Sequence, residues 1–265
     1  MRTAIVINTC PKYFYLLDGL CGLLRRYSNG LNWPVYLATE VPGDPAVISA
    51  VVKHKLQLIT LNSSAADFFS SRFMALEELP QDIQYVLPIQ DDFFVERPGL
   101  NVTALEDAVR LLDTYPELQS FRLMPCPGAK GTETLPGSNW RILKAELGDM
   151  LFCYQATIWR RETYRSFLLA MIRLTEEACG EAKPGSLEWS RYAVNMNPAE
   201  TQIGQDALQR ICGPRAIHCC WARVGAWANA VYQCPFPYRP TAVVKGVFQG
   251  WAKELLQREG FRVPS

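Results

Sequence analysis

Two hydrophobic periods alternate along residues 1–115. The apolar, largely β-branched run from Thr3 to Thr9 has the pattern of a strand buried on both faces. Tyr13 to Tyr27 then carries Phe14, Leu17, Cys21 and Leu24 at helical spacing and stops at Ser28-Asn29-Gly30, a helix-end signal. The alternation continues with strand Val35–Thr39 and helix Pro45–His54, whose proline suits a first turn. Strand Leu56–Leu61 leads to helix Ala65–Leu79, closed by Pro80, and strand Tyr85–Ile89 leads to helix Asn101–Tyr115. This βαβαβαβ order predicts a mainly parallel, doubly wound α/β sheet. Ligands of such sheets sit at the carboxyl ends of the strands. Two polar clusters fall there: Thr9 to Tyr13 after the first strand, and Asp91-Asp92 after the fourth.

The second half changes character. Pro125 to Ser138 is rich in glycine and proline and reads as a loop. Strands are expected at Trp140–Leu143 and Leu151–Ile158, and a long helix at Arg161–Cys179. After a turn at Gly180–Gly185, short helices are expected at Leu187–Val194 and Asp206–Ile211, and a last helix at Trp251–Glu259 before Gly260. No repeat or linker divides the sequence, so residues 1–265 are expected to form a single domain.

Composition narrows the function classes. Hydrophobic residues at 49% and charged residues at 20% fit a globular chain, and a net charge of +1 gives no electrostatic footprint for nucleic acid or a membrane surface. Ala4–Ile7 is too short for a signal-peptide core, and the apolar stretch Ala216–Cys234 is interrupted by His218, Arg223 and Gly225. A cytoplasmic protein without a transmembrane segment is expected. The nine cysteines are odd in number and contain no C-x-x-C pair, which fits packed free thiols; a zinc site from Cys212, His218, Cys219 and Cys220 is the sharper alternative. Of the two histidines, His54 is expected at an exposed helix end and His218 in the core. The indoles of Trp140, Trp159, Trp189, Trp221, Trp227 and Trp251 are expected mostly in the core, with one or two free to line a sugar site.

Asp91 and Asp92 are the strongest local signal. Two carboxylates at a strand end are hard oxygen ligands suited to Mg²⁺ or Mn²⁺, which can bridge them to a diphosphate and neutralise a departing nucleotide. The bland reading is a solvated acidic turn or a helix cap.

The segment Asp91-Asp92-Phe93-Phe94 resembles the acidic metal-binding motif of GT-A glycosyltransferases. The ordered set Thr9-Cys10-Pro11-Lys12-Tyr13, Arg72-Phe73-Met74-Ala75-Leu76, Tyr85-Val86-Leu87, Asp91-Asp92-Phe93-Phe94 and Gln155-Ala156-Thr157-Ile158-Trp159 resembles a bacterial and viral group of GT-A transferases over roughly residues 3–195. Pro11 stands where that group has Asp, which implies that recognition of the donor base differs here.

The resemblance implies a Rossmann-like GT-A fold with helices on both faces of the sheet. Residues 1–115 would form the nucleotide-sugar half and 116–265 the acceptor half. It implies a metal-dependent, inverting transfer from a UDP- or GDP-linked sugar to a carbohydrate or glycan hydroxyl. Asp91 and Asp92 would hold Mn²⁺ or Mg²⁺, with Thr9 and Tyr13 at the nucleoside. Arg72 would reach the diphosphate as a forked donor, and Lys245 would approach it from a C-terminal segment folded back over the site. Glu188, opening a short helix beyond the Gln155–Trp159 strand, is the candidate general base, with Asp149, Glu146 and Glu200 as alternatives.

Two other readings stay open. A sugar-nucleotidyltransferase would use a similar sheet, but lacks here the Gly-rich loop expected after the first strand. A non-catalytic carbohydrate- or partner-binding module on the same fold would keep the site without the chemistry.

Overall fold

The computed structural model describes residues 2–63, 67–182, 186–190, 198–223, 231–239 and 241–263. Its centre is one mixed sheet of eight strands. These are β1 (Thr3–Asn8), β2 (Val35–Thr39), β3 (Gln57–Thr60), β4 (Tyr85–Gln90), β5 (Leu118–Arg122), β6 (Trp140–Leu143), β7 (Thr157–Arg160) and β8 (Ile217–Trp221). They lie in the order β3-β2-β1-β4-β7-β5-β8-β6. β7 is antiparallel to both β4 and β5, and β6 is antiparallel to β8. All the other pairings are parallel, so the sheet is mostly parallel.

Alternate strand residues feed two cores. Ile5, Ile7, Leu37 and Leu87 face one side, packed by α1 (Leu17–Arg26), α2 (Pro45–His54), α4 (Val102–Thr114) and the C-terminal helix α8 (Gly250–Arg258). Ala4, Val6, Ala38, Val86 and Trp159 face the other, packed by α3 (Phe68–Glu77), α5 (Arg161–Cys179), α6 (Leu187–Ser190) and α7 (Gln202–Cys212). Burial on both faces explains why β1, β2 and β4 read as unbroken apolar runs. Among the described residues no helix is long and apolar enough to cross a membrane.

Local chemistry sets the helix starts. Asp44, Asp67 and Asn101 accept from the backbone N–H of Ala46, Ser70 and Ala104, so α2, α3 and α4 each begin one residue after a side-chain cap. The expected start of α3 at Ala65 falls outside the described residues. The expected helix Tyr13–Tyr27 divides into a 3-10 turn, Pro11–Leu16, and α1. Leu151 to Ala156 is not strand, contrary to expectation. The N–H groups of Leu151 and Phe152 bond to Gln205 Oε1, and that of Tyr154 bonds to Glu200 Oε1, so side chains replace a neighbouring strand. Residues 191–194 of the expected helix Leu187–Val194 lie outside the described residues.

His54 is not at an exposed helix end. It is buried, with Nε2 3.0 Å from Asp18 Oδ1. Nor can the four candidate zinc ligands converge. Adjacent residues of a strand point to opposite faces: Cys219 enters one core and Cys220 the other. No disulfide joins any of the nine cysteines.

α1 docks closely on the C-terminal segment. A Cβ built on Gly22 would lie 2.1 Å from the Phe261 ring, and one on Gly19 would lie 2.7 Å from Leu256 Cδ2. Gly22→Ala is therefore expected to displace Phe261 and lower stability by about 1–3 kcal/mol, the usual cost of overpacking. Chemical denaturation of the variant beside Phe261→Ala checks this, since combining the two changes relieves the clash.

Candidate active site

The register of β1 against β4 pairs Asn8 with Gln90, so the residues that leave the sheet next, Thr9 and Asp91, emerge side by side. Thr9 Oγ1 donates to Asp91 Oδ2 at 3.1 Å. The aromatics after the acidic pair fix the turn. Phe93 stacks on Tyr238 with centroids 4.4 Å apart, and Phe94 meets Phe248 edge-on at 6.1 Å. Both phenylalanines are fully buried, which anchors the backbone that presents the two carboxylates.

Asp91 and Asp92 are 8% and 7% exposed, so the solvated-turn reading does not hold. Burial, then the neighbouring charge of Asp92, pushes the Asp91 carboxyl up to about 7. Burial pushes Asp92 up to about 6, against a hydrogen bond from the Val243 backbone that favours the charged form. Asp92 Oδ1 is a buried oxygen with no hydrogen-bond partner. Two crowded carboxylates with one unanswered oxygen form a donor set that a hard divalent cation fits. Among the described residues no group of three acidic, histidine or cysteine side chains converges on one point. The pair would therefore hold Mg²⁺ or Mn²⁺ together with phosphate oxygens and water, the usual mode for Mg²⁺ at phosphate sites.

These shifts have a definite sign. The folded pair binds more protons than the unfolded chain between about pH 4 and pH 7, so its contribution to stability falls as pH rises through that window. A cation needs both groups ionised, so its affinity rises over the same window. In metal-free buffer the melting temperature of Asp92→Asn is expected to gain on wild type between about pH 5.5 and pH 8. Added Mn²⁺ is expected to stabilise wild type at the upper pH and not the lower. Thermal melts of both proteins at the two pH values check this.

The C-terminal segment bonds to Asp92. The Ala242 N–H donates to the Asp92 carbonyl at 3.2 Å, and Val243 donates to the Asp92 carboxylate. From there a hairpin of β9 (Val243–Val244) and β10 (Val247–Phe248) turns at Lys245-Gly246, both at positive φ, with Lys245 exposed at its tip.

Of the other expected residues, Arg72 and Tyr13 lie near this edge. Arg72 is partly buried, donates to the Phe68 carbonyl at 3.0 Å and lies 3.5 Å over the Phe68 ring. Its charge acts on Asp91, Glu40 and Tyr154. Tyr13 is half-buried in the 3-10 turn, with Lys12 Nζ 5.3 Å from its ring centroid. Pro11 opens that turn. Glu188 stands on α6, exposed, and its charge acts on Cys179 at the end of α5. The structure places no contact between Glu188 and the acidic pair. Asp149 is a structural acceptor, taking the backbone N–H of Lys130 and Lys144 at 2.8 Å each. Glu146 lies away from this edge, on the turn after β6.

Sequence reasoning missed three groups. Glu40 follows β2 at the same carboxyl edge. Its Oε2 is buried without a partner, and burial raises its carboxyl. Its position, one residue past a strand that was read correctly, was the available signal. Tyr15 is 41% exposed and feels both aspartates. Tyr154 was hidden in the misread strand; its hydroxyl is buried without a partner, in a small cavity it shares with Asn8, Arg72, Gln90 and Gln155.

No family model and no curated protein matches the chain. Among solved structures it is similar to S. aureus TarS 1-349, at 14% identity and a TM-score of 0.47, over 84% of this chain. It spans 61% of the length of that TarS chain. It is also similar to the glycosyltransferase GlyE of Streptococcus pneumoniae TIGR4, at 15% identity and a TM-score of 0.46, over 82% of this chain and 44% of that one. A third likeness is to 4-diphosphocytidyl-2C-methyl-D-erythritolsynthase from Anaerococcus prevotii DSM 20548, at 11% identity and a TM-score of 0.38, over 76% of this chain and 86% of that one. Likeness at this level leaves the function to the chemistry of the site.

Proposed function

We propose that this chain is a metal-dependent glycosyltransferase, moving a sugar from a nucleotide-sugar to an acceptor hydroxyl with inversion. The observation that carries the reading is the buried pair Asp91–Asp92 at the carboxyl end of a central strand, with an unanswered oxygen on Asp92. Neither a core nor a surface explains two buried carboxylates that crowd each other; a cation shared with a diphosphate does.

The residues divide the work by position. Thr9 orients Asp91 and stands with Tyr13 where the nucleoside of a UDP or GDP donor would lie. Glu40 offers a buried acceptor to an N–H or O–H of that nucleoside, in place of the aspartate that Pro11 replaces. Arg72 supplies positive charge next to Asp91, and the hairpin carrying Lys245 covers the diphosphate side. Asp91 and Asp92 would hold Mn²⁺ or Mg²⁺, which when bound neutralises the charge that develops on the leaving diphosphate.

β7 runs antiparallel to β4 and ends at the amino edge of the sheet. The 19 residues of α5 then span about 28 Å, enough to bring the chain back to the carboxyl edge before α6. Glu188 follows there as the proposed base. It takes the acceptor hydroxyl proton while the oxygen forms its bond to the anomeric carbon, and the bond from that carbon to the diphosphate breaks on the opposite side. Glu200 is the alternative; one of its oxygens is already tied to the Tyr154 N–H. Both halves of the chain contribute strands to one sheet, consistent with the single domain we propose. Nine cysteines without a disulfide fit a reducing compartment, and we assign the protein to the cytoplasm.

The direct test is a panel of nucleotide-sugars assayed for slow hydrolysis and thermal stabilisation, with and without Mn²⁺. One donor is expected to be hydrolysed and to stabilise the protein only with the ion. A panel without any metal-dependent response contradicts the reading.

A further inference from the structure

A second cavity lies far from the acidic pair. Its volume is about 670 Å³, and it opens where β6 ends, where β8 begins and along the last turns of α7. β8 runs parallel to β5, and β6 antiparallel to β8, so this is the amino edge of the sheet, opposite Asp91. Its strands β8 and β6 stand three and four places from β4, roughly 14 and 19 Å at the usual strand spacing.

His218 lines this cavity while being only 2% exposed. Nδ1 lies 2.8 Å from Ser120 Oγ on β5. Leu143 of β6 sits opposite His218 in register and also lines the cavity. The second ring nitrogen, Nε2, is buried and has no hydrogen-bond partner among the described residues. Leaving a buried ring nitrogen unanswered is costly. Nothing in the proposed transfer reaction uses it.

We propose that this cavity is a second ligand site, for a neutral, hydroxyl-bearing ring compound that answers His218 Nε2. A hydroxyl both donates and accepts, so it satisfies His218 in either tautomer. Leu143, Leu151 and Ala216 supply an apolar wall for one face of the ring, and Gln209 and Arg210 polar groups for its edge. Glu146 and Asp206 border the same space and outnumber the single cation, which disfavours anions. Burial and the charge of Arg122 hold the His218 imidazole neutral, with its ordinary value pushed down to about 3. Saccharides and phenols share this chemistry, and the test separates them.

The chain has two histidines, so imidazole-labelled protein gives two ring signals, assigned by His218→Gln. Methyl β-D-glucoside and phenol are titrated separately. One of them is expected to shift the His218 signal saturably and leave His54, paired to Asp18, unmoved. Ala216→Phe narrows the cavity while keeping the histidine itself and is expected to weaken that response at least about tenfold, the scale of one lost buried hydrogen bond. The proposal is overturned if neither probe moves His218, if both histidines move alike, or if Ala216→Phe responds as wild type does. None of these readouts depends on transferase activity, so the site stands or falls separately from it.

Discussion

Asp92→Asn is expected to abolish Mn²⁺-dependent binding of a nucleoside diphosphate, and with it turnover, while leaving the fold intact. Removing groups that only orient metal ligands costs about 10- to 100-fold in affinity, so losing a ligand is expected to cost at least about 100-fold. The fold should survive because an asparagine oxygen can still accept from Val243. The Asp92 carbonyl also keeps its bond from Ala242. The change removes a buried charge, so the metal-free variant should be no less stable than wild type near neutral pH. A structural role for the pair makes the opposite forecast, a lower melting point with nucleotide binding retained. Calorimetry and thermal melts on the same samples distinguish them.

Glu188→Gln is expected to leave donor affinity within a few-fold and to cut turnover by about 10² to 10⁴, the usual contribution of a general base. A base acts on the acceptor, so the loss should fall on kcat rather than on nucleotide binding. The competing role is electrostatic support of the short helix α6, worth about 0.3 to 1 kcal/mol. Near-normal turnover with a slightly lower melting point would favour that role. Assaying Glu200→Gln in parallel then decides whether the base is the carboxylate held by Tyr154.

What the sequence made legible follows burial. β2, β6, α2 and α5 have the bounds their apolar patterns predict, because strand and helix periods are strong where a whole face is buried. β5 escaped notice because Gln119, Ser120 and Arg122 interrupt its pattern; Ser120 faces His218, and Arg122 is buried against backbone carbonyls. β8 was submerged in a longer apolar stretch, Ala216–Cys234, whose residues 224–230 lie outside the described residues. β7 was displaced because the preceding segment donates its backbone N–H groups to the Gln205 and Glu200 side chains instead of to a neighbouring strand.

The site was legible where it is local. Thr9 and the aspartates sit at strand ends that periodicity locates, so their meeting was foreseeable. Glu40 lay at an equivalent strand end and was overlooked. The closure of the hairpin on Asp92 joins residues about 150 positions apart through backbone hydrogen bonds, which no side-chain pattern encodes.

The central claim is that Asp91 and Asp92 bind a nucleoside diphosphate through a divalent ion. Titrating UDP and GDP calorimetrically into the wild-type protein, in Mn²⁺ and in EDTA, tests it most directly. One nucleotide is expected to bind in Mn²⁺ and to lose at least about tenfold in affinity when the ion is chelated, more than 1.4 kcal/mol. Equal affinity in the two buffers, or no binding of either nucleotide, would contradict it.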